Sequence, residues 1–205
     1  MTHPFFQSGH TSVKICGLVD EMHVDVAVGA GADAIGFMFV ESSPRFATRE
    51  LANRLLLQLP DYVLPIAVLK DYPVLTDFED WPGMLQLCGN ESLDEIQSAP
   101  RPVIKAFKWN KEHYAYWNSS QTEGVLIDGS EGGMGQAFDL DEVANSLETD
   151  RDGLIVAGGL HAGNVADVIT RLKPAAIDVS SGVELARGEK CPELICEFIN
   201  TVKSL

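Results

Sequence analysis

Positive charge is scarce in this sequence. Fifteen Lys and Arg stand against thirty Asp and Glu among 205 residues, a formal charge of −15. Such a surface repels a phosphodiester backbone or an anionic bilayer, so neither nucleic acid nor a membrane is expected as a partner. An anionic small molecule would have to be met by local cations or by backbone N–H groups. Cysteine is scarce as well. Cys16, Cys88, Cys191 and Cys196 form no C-x-x-C pair and have no histidine at ligand spacing, which argues against a disulfide framework or a bound metal and suits a reducing compartment. No apolar run approaches the roughly 18 residues that span a bilayer. Met1–Ser12 shows no basic start followed by an apolar stretch, so no secretory signal is read. The expectation is a soluble cytoplasmic protein, monomer or homodimer. Its length suits one domain over residues 1–205, with 1–12 as an N-terminal extension.

What the chain does contain is a repeated alternation. Short, nearly continuous apolar runs lie at Val13–Cys16, Ala34–Val40, Val63–Leu69, Met84–Cys88, Val103–Phe107, Gly124–Asp128, Gly153–Ala157 and Ala175–Ser180. Runs without strict polar alternation suit strands covered on both faces, as in a parallel sheet. Helix-like stretches separate most of them: Asp20–Ala30, Thr48–Gln58, Leu93–Ala99, Asn110–Ser119, Leu140–Leu147, Ala162–Leu172 and Pro192–Val202. Asp71–Trp81 is acidic and contains proline, so its helix should be short or absent. Eight units of about 24 residues match a (β/α)₈ barrel with lean loops. An open doubly wound sheet permits the same alternation, but the G-x-G-x-x-G expected after its first strand is missing from Lys14-Ile15-Cys16-Gly17-Leu18.

In a barrel, chemistry collects where the strands end. Strand one ends at Cys16, strand six at Asp128, and strand two leads to Ser43-Pro44-Arg45. Strands seven and eight end in Gly158-Gly159-Leu160 and Ser180-Ser181-Gly182, neighbouring loops whose backbone N–H groups could cradle an anion. A phosphate site in those two loops is a recurrent feature of barrels. Taken singly, Cys16 reads more simply as a small buried hydrophobe, Asp128 as a structural acceptor and Arg45 as a surface cation. On strand one, Lys14 shares a face with Cys16 by the two-residue period. Strand eight closes against strand one, and Asp178 shares a face with Ser180. Lys14 is therefore expected inside the barrel beside Asp178, beneath the Cys16 thiol.

At these positions the sequence resembles the phosphoribosylanthranilate isomerases of tryptophan biosynthesis. The resemblance rests on Val13-Lys14-Ile15-Cys16-Gly17-Leu18, Gly31-Ala32-Asp33-Ala34-Ile35-Gly36-Phe37 and Ser43-Pro44-Arg45-Phe46. It continues through Leu126-Ile127-Asp128, Gly132-Gly133-Met134-Gly135, Ala157-Gly158-Gly159-Leu160 with Asn164-Val165, and Asp178-Val179-Ser180-Ser181-Gly182-Val183-Glu184. It implies a TIM barrel that carries out an Amadori rearrangement of a phosphorylated substrate without a cofactor. It also implies Asp128 as the general acid, Cys16 as the general base, Arg45 as the holder of the anthranilate carboxylate, and Gly158–Leu160 with Ser180–Gly182 as the phosphate site.

Those roles have physical requirements. A thiol accepts a proton only as thiolate, and its reference pKa of about 8.5 lies within reach of neutral pH. A carboxylic acid that donates near pH 7 needs burial or a neighbouring negative charge. The chain departs from the family pattern at Cys88, where Gln-Leu-His-Gly is usual, at Gln136 for a Lys, and at Leu140 for a Trp. Two other readings are weighed: an isomerase of a related phosphorylated aminosugar, and a sibling that binds a phosphorylated ligand without turnover. The first would use two aspartates, against Cys16; the second leaves Cys16 and Asp128 unexplained.

Overall fold

A computed structural model describes residues 4–6, 9–120, 122–129, 140–147 and 153–205. Eight parallel strands close into a barrel in chain order: β1 (Ser12–Cys16), β2 (Ala34–Met38), β3 (Leu64–Leu69), β4 (Met84–Leu87), β5 (Val103–Lys108), β6 (Gly124–Asp128), β7 (Leu154–Ala157) and β8 (Ala176–Val179). The closing pair is β1 with β8, where Lys14 stands opposite Asp178. That pairing rules out the open doubly wound alternative.

Outside the barrel run α1 (Glu21–Ala30), α2 (Arg49–Leu56), α3 (Leu93–Gln97), α4 (Lys111–Asn118), α5 (Leu140–Ser146), α6 (Val165–Leu172) and α7 (Pro192–Lys203). Between β3 and β4 there is only a 3₁₀ turn, Leu75–Phe78, as the acidic, proline-bearing stretch led one to expect. The helices start where side chains can replace the missing carbonyl partners of the first turn. Asp20, Thr48 and Asn110 accept from the backbone N–H groups of His23, Leu51 and His113. Ser92 and Glu95 form a reciprocal capping box on α3, which lets a five-residue helix hold its place.

Two apolar layers result from the strand alternation. Ile15, Phe37, Leu69, Leu85 and Ile127 face the helices, and Leu64, Ile66, Met84, Ile104, Leu126 and Ile155 fill the interior. The interior set includes Phe5 and Phe6, buried at 4% and 7% exposure. They pack where Gly124 opens β6: a Cβ on Gly124 would lie 2.8 Å from the Phe6 ring. Residues expected merely as an extension thus carry two aromatic rings into the N-terminal end of the barrel. A pair of phenylalanines outside any periodic segment carries no sequence signal for that role.

Beyond β8 the chain makes a 3₁₀ turn, Ser181–Val183, and a small antiparallel hairpin of β9 (Glu184–Ala186) and β10 (Glu189–Lys190). Strands of two and three residues are too short to show a period, and the hairpin was not expected. It returns the chain over the barrel mouth before α7.

Candidate active site

The C-terminal mouth of the barrel holds a cavity of about 950 Å³. Cys16, Arg45, Asp128, Gly158, Gly159, Leu160, Ser180, Ser181 and Gly182 all line it. Cys16 enters from the end of β1 and Asp128, half-buried, from the end of β6. The glycine-bearing loops after β7 and β8 lie on the arc between them.

Beneath the cavity floor, Lys14 is wholly buried and its Nζ donates to Asp178 Oδ1 at 2.9 Å. The expected pair is there. The Lys14 ammonium also acts electrostatically on the Cys16 thiol. Gly36 makes this possible: paired with Cys16 across β2, it leaves space where a Cβ would lie 2.9 Å from Cys16 Sγ and 3.0 Å from Lys14 Nζ. Burial pulls the Lys14 ammonium down, but Asp178 and the thiol more than offset it and leave it raised. For Cys16 the balance goes the other way: burial pushes the thiol up, the Lys14 and Lys190 cations draw it back, and the net direction is up. Near neutral pH Cys16 therefore stands as the thiol, with the Lys14 and Lys190 cations placed to stabilise the thiolate.

On the far side of Cys16 lies Arg45. Its Nε donates to Glu184 Oε1 at 2.6 Å and its Nη2 to Glu184 Oε2 at 2.7 Å, a bidentate pair. Lys190 Nζ reaches Glu184 Oε1 at 2.7 Å, and the Gly188 N–H reaches Oε2 at 3.0 Å. Burial alone would raise the Glu184 carboxyl, yet the hydrogen bonds from Arg45, Lys190 and Gly188 hold it at about 2. Lys190 also donates to the carbonyl of Ser180 at 2.8 Å, and the Ser180 hydroxyl donates to the carbonyl of Cys16 at 3.1 Å. One network thus joins the ends of β1, β2 and β8.

The β7 loop is shaped by its glycines. Gly158 and Gly159 have φ of +91° and +66°, a region that L side chains rarely adopt. A Cβ on Gly159 would meet open space. Asn164 fixes the loop, donating from Nδ2 to the Gly159 carbonyl at 3.0 Å and accepting from the His161 N–H at 2.8 Å. Leu160 is buried in the outer core, so only its backbone faces the cavity. Gly182 packs flat against the Leu160 carbonyl, where a side chain would collide, and this brings the two loops together.

Glu184, Lys190 and the buried pair of Lys105 with Glu91 join the site without an expected role. Lys105 donates to Glu91 Oε2 at 2.6 Å and to the Gly89 carbonyl at 2.7 Å, tying the β4 loop to β5. A lysine inside the apolar run Val103–Phe107 was the available signal, since a buried cation requires a partner. Cys88 lines the same cavity and accepts from Gln86 Nε2 at 3.4 Å; burial pushes its thiol up to about 12. Gly132–Gly135, Gln136, Phe138 and Asp139 lie outside the described residues, and Leu140 opens α5.

A family model described as N-(5′-phosphoribosyl)anthranilate (PRA) isomerase matches residues 13–201. The chain belongs to the phosphoribosylanthranilate isomerase family. An N-(5′-phosphoribosyl)anthranilate isomerase of Marinomonas sp. is 36% identical, with 93% of this chain and 97% of the relative covered. The phosphoribosyl anthranilate isomerase of Thermus thermophilus superposes with a TM-score of 0.83 at 30% identity, covering 95% of this chain and 99% of that one. A third isomerase structure, solved with reduced 1-(o-carboxyphenylamino)-1-deoxyribulose 5-phosphate, gives a TM-score of 0.80 at 29% identity over 95% of this chain and 100% of that one. Family membership sets aside the related-aminosugar alternative. Among the described residues no helix is long and apolar enough to cross a membrane.

Proposed function

We propose that this protein converts N-(5′-phosphoribosyl)anthranilate to 1-(2-carboxyphenylamino)-1-deoxyribulose 5-phosphate, a step of tryptophan biosynthesis, with Cys16 as base and Asp128 as acid. The observation that carries the reading is that a thiol from β1 and a carboxyl from β6 share one cavity with two glycine-bearing loops. Asp128 delivers a proton to the furanose oxygen as the C1–O bond breaks, leaving a Schiff base. The Cys16 thiolate takes the C2 proton, and the C–H electron pair forms the enolamine. Ketonisation then places a proton on C1 and releases one from the C2 hydroxyl. C2 is oxidised and C1 reduced within one molecule, so no outside electron carrier takes part. Acid and base on separate strands reach different atoms of one bound sugar.

The direct test is a fluorescence assay with freshly made phosphoribosylanthranilate. Purified protein should accelerate its consumption, and failure to do so would remove the proposal.

Because burial holds the Cys16 thiol up, the reactive thiolate is the minority form near pH 7. Alkylation of Cys16 by iodoacetamide should therefore quicken with pH above neutrality, by about tenfold per unit until the thiol has titrated. An alkylation rate that stays flat between pH 7 and 9 would contradict a base that starts protonated.

Gly158–Leu160 and Ser180–Gly182 serve as the phosphate cradle in this reading. Gly159→Asp would project a carboxylate into that open space while its backbone remains tolerable, since Asp enters the left-handed region more readily than most residues. KM should rise about 10- to 100-fold through like-charge repulsion, with the melting transition retained. An unchanged KM would clear the β7 loop of phosphate binding.

A further inference from the structure

Arg45 is assigned above to a carboxylate of the substrate, yet in the structure its guanidinium already holds one. The side-on pair with Glu184 uses Nε–H and one Nη2–H. A guanidinium has five N–H donors in one plane, so the edge formed by Nη1 and the second Nη2 hydrogen remains for another planar anion. Glu184 cannot simply be displaced, because its oxygens also take Lys190 and the Gly188 N–H and its side chain is 3% exposed. Charge supports the same view. Arg45 and Lys190 against Glu184 leave one net positive charge, enough for one incoming carboxylate, while Lys14 and Asp178 below are already paired.

The arrangement is built into the backbone. Gly17, at φ +79°, lets Arg45 cross the end of β1: a Cβ there would lie 2.6 Å from Arg45 Cδ. Gly188, at φ +89°, lets the β9–β10 hairpin press on Pro44, where a Cβ would meet the Pro44 Cβ at 3.0 Å. The hairpin therefore grips both the residue before Arg45 and its guanidinium.

We infer that Glu184, held by Lys190 on the β9–β10 hairpin, is a positioning residue that locks the Arg45 guanidinium with its free edge toward the cavity, and thereby sets the enzyme's selectivity for a substrate bearing an aryl carboxylate. A free arginine would adopt many rotamers and lose entropy on binding; a clamped one has already lost it. This rests on the proposed function, because the carboxylate belongs to the anthranilate ring of that substrate.

The test compares two substrates, phosphoribosylanthranilate and the corresponding N-phosphoribosyl derivative of aniline, which lacks the ring carboxylate. Glu184→Gln keeps the shape but removes the charge, and its amide N–H₂ opposes one of the donors. KM for the anthranilate substrate should rise about 10- to 100-fold, the value of a positioned charge-assisted contact, with kcat changed far less. KM for the aniline substrate should stay as in wild type, and its turnover also reports that the variant is folded. Glu184→Asp, charged but one methylene shorter, should show the same preference in weaker form and serves if Glu184→Gln does not fold. In an Arg45→Ala background, Glu184→Gln should add nothing to KM for phosphoribosylanthranilate. A loss shared equally by both substrates, or none with either, in an otherwise active enzyme overturns the inference alone. Wild-type protein inactive on both substrates overturns the functional reading and this inference with it.

Discussion

Cys16→Ala and Asp128→Asn are each expected to fold, to bind a product analogue, and to turn over about 10²–10⁴-fold more slowly, the usual contribution of a positioned acid or base. Folding should survive because Cys16→Ala removes one sulfur from a site that opens onto the cavity, and Asp128→Asn is isosteric at a half-buried position. Both groups act within one reaction sequence, so the double variant should lose less than the product of the single losses. Iodoacetamide should inactivate the wild type at Cys16, more rapidly as pH rises, and a bound phosphorylated analogue should protect. Cys88 is the internal control. It lines the same cavity, burial pushes its thiol up to about 12 with Lys14 among the lesser influences, and it should alkylate slowly. Peptide mapping after partial labelling distinguishes the two. Full activity in Cys16→Ala would refute the mechanism.

The barrel was legible because every strand carries its own apolar run. Two-sided burial in a parallel barrel demands continuous hydrophobicity, and continuous runs survive small errors of register. The ends were less legible. The run read as Ala34–Val40 stops at Met38, since β2 finds partners at five residues on β3 and at only three on β1 before the chain turns toward Arg45. The positions of Cys16, Asp128 and the two glycine loops followed from reading strand ends in order, a rule of topology that needs no side-chain geometry. The pair of Lys14 and Asp178 followed from parity and closure, which are also geometric. Glu184 and Lys190 were not legible as a site for the opposite reason. Their partnership with Arg45 depends on a hairpin with strands of two and three residues, 139 residues from Arg45 along the chain, and short strands show no period. The chemical role of a residue such as Arg45 was visible in its motif; what holds it in place was visible only in three dimensions.

Lys14→Met is expected to cost about 3–5 kcal/mol, because it removes one partner of a buried ion pair and leaves Asp178 charged inside the barrel. For a chain of this size that corresponds to a fall in Tm of about 6–20 °C. Stability alone does not separate a structural ion pair from one that serves the thiol, so a second variant is needed. In Lys14→Met with Asp178→Leu, both charges are gone and the interior is apolar, which should recover most of the lost stability. The thiol should not recover. Lys14 draws the Cys16 thiol down through its charge more than Asp178 pushes it up. Removing both therefore leaves a thiol shifted further upward than in the wild type, and the rise of Cys16 alkylation with pH should move to higher pH. A double variant with restored Tm and a displaced pH profile would show that the cation supports the base as well as the fold. Restored Tm with the wild-type profile would reduce Lys14 and Asp178 to a structural pair, and an unchanged Tm in Lys14→Met would show that the pair contributes nothing measurable to the barrel.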